Sequence, residues 1–188
     1  MQQLYTLSRT CERISSFVGR LSVWLLLVLM LVIVTDVTLR RWFIIGSTKL
    51  QELEWHLHGA LFLLCLGWAY TKNAHVRIEL FSERWSKRTA AKMELFGCLL
   101  LLVPYVIAIL SFGWDYVAYS IEYGEASASA TGLPNRWIIK SMIIVGFGVL
   151  GLAATSRLFD SIIFLFGPKS LADQTPYHDA PHHPEGAS

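Results

Sequence analysis

Residues 51–81 read QELEWHLHGALFLLCLGWAYTKNAHVRIELF. The stretch opens on Glu52, Glu54, His56 and His58 and passes through an apolar run of helix length. It leaves through NAHVRIELF, where His75, Arg77 and Glu79 alternate with Val76, Ile78 and Leu80. Charge at the mouth of a membrane span is costly unless another group answers it, so this pattern asks for a partner or a function. The alternation, followed by helical character around Trp85, predicts a surface-lying element.

The rest of the chain shows why the run belongs in a membrane. Of 188 residues, 54% are hydrophobic and only 16% charged, with a mean hydropathy of +0.46, too apolar for an ordinary soluble domain. Four apolar runs, 18–39, 53–71, 93–114 and 137–155, approach the ~20 residues that ~30 Å of hydrocarbon requires. The expected fold is an all-α integral membrane protein, with four transmembrane helices in a single domain, 1–167, and a disordered tail, 168–188, carrying His178, His182 and His183.

Ahead of the first run, Leu4, Leu7, Cys11, Ile14, Val18 and Leu21 recur at three- and four-residue spacing with Arg9, Glu12 and Arg13 between them. This predicts an amphipathic helix on the membrane surface; no small-residue cleavage site follows, so the helix is expected to be retained. Orientation follows from Lys and Arg. Eleven of them fall on the side of the N-terminal arm, the 72–92 connection and the C-terminal end, against five (Arg40, Arg41, Lys49, Arg136 and Lys140) opposite. Both termini are therefore expected in the cytoplasm. The outer loop, WDYVAYSIEYGEASASATGLPNRW at 114–137, has interfacial aromatics and a turn-prone centre, and reads as accessible.

His56 and His58 raise the possibility of haem held between facing helices, but the other three runs contain no histidine. Zinc is disfavoured because residues two apart point nearly oppositely on a helix, and Cys11, Cys65 and Cys98 have no ligand spacing. Pairing Glu52 with His56, Glu54 with His58, and Asp36 with Arg40, each four apart, accounts for the charges locally. No run carries an acid at its centre, and no phosphate loop or activated nucleophile is present. No catalytic, substrate-binding or metal residue and no cofactor is expected, and the scattered basic residues do not form a nucleic-acid surface. Gly59, Gly67, Gly146, Gly148, Gly151 and Thr155 favour close helix packing, while Pro104 predicts a kink or local unwinding in the third run.

Several of these residues together resemble a known family. Arg41, Trp42 and Phe43 close the first run, Glu52 opens the second, and LHGALFLL at 57–64 is followed by HVRIELF at 75–81. Pro104 and the series Glu125, Ser127, Gly132, Leu133, Pro134 and Trp137 complete the pattern. Over 16–166 the chain resembles the small permease subunit of TRAP transporters, the DctQ-like family, and most of all its mannitol, chloroaromatic and 2-oxo acid branch. It departs mildly in having Glu79 where the family usually has Asp, and Trp42 where Tyr is frequent.

The resemblance implies a multi-pass protein of the bacterial inner membrane. It would scaffold a large permease subunit for ion-gradient-driven uptake, sodium being the favoured ion, of an organic acid or related solute delivered by a periplasmic binding protein. On that basis Arg41, Glu52, Glu54, His56, His58, Gly59, Glu125, Pro134 and Trp137 are candidates for contact with these partners or with membrane lipids. His75, Arg77 and Glu79 would order an inner elbow. The competing class is a four-helix anchor subunit of a cytochrome-type redox complex, which predicts a Soret band.

Overall fold

A computed structural model describes residues 1–72 and 86–177, and among these every regular element is a helix. The helices are α1 (Gln2–Ser22), α2 (Trp24–Trp42), α3 (Thr48–Thr71), α4 (Lys87–Gly97), α5 (Val103–Glu122), α6 (Trp137–Phe166) and α7 (Lys169–Ala172). Among the described residues, three stretches are long and apolar enough to cross a membrane: Gln2–Trp42, Lys87–Glu122 and Trp137–Phe166. α3 has the length of a span, but the charges and imidazoles of its first half hold its hydropathy lower.

α1 and α2 meet at Val23, whose right-handed φ and ψ of −57° and −30° keep the helical course. At ~1.5 Å per residue their combined length is about 60 Å, twice the hydrocarbon thickness. α1 is the expected amphipathic helix, and of its apolar stripe only Cys11 is buried. Ser8, Cys11, Ser15, Gly19 and Ser22 are buried, whereas Leu7, Ile14, Phe17 and Leu21 are exposed. Small residues let α1 approach α3 and α6 closely, and the large apolar side chains turn away from the bundle, as suits a lipid environment.

α6 is the central element, packing against α1, α3, α4 and α5. It runs past the predicted end at Thr155 as far as Phe166. It crosses α3 where two glycines interlock. A Cβ on Gly146 would stand 2.7 Å from the Leu63 carbonyl oxygen, and one on Gly67 would stand 2.8 Å from that of Val149. Side chains are absent on both helices where the backbones approach most closely.

The perturbation expected at Pro104 is a π-helical turn, Cys98–Leu102, joining α4 to α5. Proline offers no N–H and its ring crowds the carbonyl four residues back, here that of Leu100; widening the turn relieves both problems. Cys98 Sγ, held in this turn, donates to the Ala154 carbonyl at 3.4 Å.

Residues 168–177 depart from the expected disorder by folding back on α6. Thr175 is buried, and the Tyr177 hydroxyl lies 2.7 Å from Ser161 Oγ with its ring against Phe164. Burial pushes the Tyr177 phenol up to about 12, keeping it neutral. His178, His182 and His183 lie outside the described residues.

Candidate functional site

The polar residues gather at the two ends of the bundle. At the end bearing the 123–136 connection, Glu52 projects from the first turns of α3 and is nearly buried. Its carboxylate accepts from the Ser127 hydroxyl and, at 2.6 Å, from the Leu133 amide. The loop closes on itself as Ser127 N–H donates to the Leu133 carbonyl at 3.1 Å and Arg136 N–H to the Glu125 carbonyl at 3.0 Å. Asn135 supplies the left-handed turn at φ 60°, and Gly132 leaves room, since a Cβ there would lie 2.7 Å from Glu52 Oε2. The expected accessible loop is thus largely exposed but closed around one carboxylate.

Glu125 ties the loop to α6 through an ion pair with Lys140, whose ammonium also lies 3.7 Å from the Tyr116 ring centre. The Lys140 hydrogen bond holds the Glu125 carboxyl below the usual carboxylate range. A depressed folded-state value means that the tie contributes fully at neutral pH and is lost as pH falls through that lowered value. Hydrogen-exchange protection of the Arg136 amide is therefore expected to fall on acidification, and Glu125→Gln to remove that acid-side transition.

The local pairs anticipated on α3 do not form. Glu52 turns to the loop instead of bonding His56, because two donors there satisfy its carboxylate. Glu54 has a buried oxygen without a partner and bonds no histidine, while His58 is exposed beside Leu61, Phe62 and Cys65. The Asp36–Arg40 pair does form, with Asp36 buried. Arg41, Pro134 and Trp137 are exposed, and a Cβ on Gly59 would meet Ile139 at an ordinary contact distance of 3.7 Å. His75, Arg77 and Glu79 lie outside the described residues.

The opposite end holds a cluster that the sequence reading passed over. Asp160 is 1% exposed and accepts from Ser8 Oγ at 2.6 Å and from Arg9 Nη2 at 2.8 and 2.9 Å. Beside it Arg157, also buried, donates to the Thr71 carbonyl at the end of α3. Ending the fourth run at Thr155 concealed both residues. The four-residue spacing of Ser156 and Asp160, opposite Ser8 and Arg9, was the available signal. Close by, Tyr70 donates to Glu94 at 2.6 Å beside a cavity of about 540 Å³ next to the π turn.

The two described histidines both lie on α3, and no group of three or more metal-ligating side chains occurs among the described residues. The observed polar groups mainly join one helix or loop to another. Long apolar helices pinned by such contacts define a helical membrane protein. The family model of the DctQ component of the tripartite ATP-independent periplasmic transporters matches residues 29–163. The chain belongs to this family, a transporter component. No individually curated protein matches it.

Proposed function

We propose that the chain is the small membrane subunit that scaffolds a large permease subunit during sodium-gradient-driven uptake of an organic acid or related solute delivered by a periplasmic binding protein. In this arrangement α3 is a fourth span, both termini are cytoplasmic, and the protein sits in the bacterial inner membrane. The observation that carries the proposal is the use of buried charge. Glu52 anchors a loop and Asp160 anchors α1, so the acids brace the body of the bundle.

A braced bundle with lipid-like outer faces suits a fixed support beside a moving transport domain. The loop around Glu52 then lies on the periplasmic side, where a binding protein arrives, and the Asp160 cluster on the cytoplasmic side. In liposomes the chain alone is expected to move no solute. Uptake should require this chain, the large subunit and the binding protein together; uptake by the chain alone would refute the proposal.

A further inference from the structure

Between the end of α2 and the start of α3 lies a cavity of about 550 Å³ lined by Asp36, Val37, Arg40, Arg41 and Glu54. Asp36 is 2% exposed; one of its oxygens pairs with Arg40, but Oδ1 has no partner. Oε1 of Glu54 is likewise shut from solvent and unpartnered. Arg40 is already engaged, by Asp36 and, with the Gln51 amide in its satisfying orientation, by the Gln51 oxygen at 2.8 Å. Arg41 stands at the exposed rim.

Two buried carboxylate oxygens without donors are costly, and a group bringing several N–H bonds would relieve both. A divalent metal fits poorly, since two such oxygens fall well short of the roughly six that calcium or magnesium takes. Position favours a protein side chain over a lipid headgroup. Asp36 precedes the end of α2 at Trp42 by six residues, and Glu54 follows the start of α3 at Thr48 by six. At ~1.5 Å per residue, both lie about 9 Å inside the helix ends, a depth that a long Lys or Arg stem reaches.

We propose that this cavity receives a Lys or Arg side chain of the large membrane subunit, its charged head donating to Asp36 Oδ1 and Glu54 Oε1. The inference rests on the small-subunit function proposed above. It gives Glu54 opposite roles in two states. Unpaired in the isolated chain, its charge is a burden; in the complex it holds the partner.

The test compares wild type, Glu54→Gln and Glu54→Lys in nanodiscs, each as the isolated chain and co-expressed with the large subunit. Glu54→Gln is expected to leave the isolated chain's Tm unchanged or raised while weakening the complex at least about tenfold, and Glu54→Lys to weaken it further. Equal complex stability in all three overturns the inference alone, whereas failure of the wild-type complex to form overturns the small-subunit function with it. A lowered Tm for isolated Glu54→Gln would show that Arg41 or another internal donor closes on Glu54, also overturning it. So would a wild-type Tm gain from phosphatidylethanolamine that Glu54→Gln abolishes, which would assign the cavity to a lipid ammonium.

Discussion

Asp160→Ala is expected to destabilise the chain by about 3 kcal/mol, the lower part of the range for breaking a buried ion pair, because the Arg9 side chain keeps 23% of its exposure. The carboxylate receives Ser8 and both bonds from Arg9; without it Ser8 keeps Ser156 and Arg9 keeps Glu12, but the charged tie between α1 and α6 is lost. Release of α1 should precede global unfolding and appear as selective loss of hydrogen-exchange protection over Gln2–Ser22. The double variant with Arg9→Ala should cost less than the sum of the two single changes, since each removes the same interaction. Additive effects would mean that the pair does not hold the helix.

Gly146→Leu is expected to be at least as damaging, by a different route. The neighbour of its Cβ is the backbone of Leu63, with the carbonyl oxygen 2.7 Å and the carbonyl carbon 2.9 Å away, so no rotamer change can make room. Even one added methyl group in a packed core commonly costs about 1–3 kcal/mol, and here α3 and α6 must separate. Gly148→Ala is the control. A Cβ there meets nothing within 4 Å, and replacing a helical glycine gains up to about 1 kcal/mol. Thermal unfolding in one detergent should therefore place Gly146→Leu well below wild type and Gly148→Ala at or above it.

These contrasts show where the sequence was informative. Apolar runs long enough to span, the Asp36–Arg40 pair and the disturbance at Pro104 depend on residues close in the chain, and periodicity or proline chemistry reveals them. The partner of Glu52 could not be found that way, since Ser127 and Leu133 are brought to it by a loop more than seventy residues later. The residues by which α1 packs on the bundle were hidden for a similar reason. Hydrophobic periodicity finds a core stripe in water, but in lipid the packing face is the one with small residues, and Ser8, Ser15, Gly19 and Ser22 carry no hydropathy signal. Asp160 escaped because α6 continues beyond the apolar run that marked it.

The three charge sites differ in what they do for the bundle. Glu52 and Asp160 are satisfied within the chain, whereas Asp36 and Glu54 each retain an unpartnered oxygen in one cavity. The proposed support role calls for both kinds, internal ties that keep the subunit rigid and a place where a partner completes it.

The most direct measurement is solute uptake into liposomes at a fixed amount of large subunit and binding protein, with and without this chain under an imposed ion gradient. Uptake that appears only when the chain is added, with no transport by the chain alone, is the predicted result. Full uptake without the chain, or transport by the chain in isolation, would contradict the proposed scaffold role.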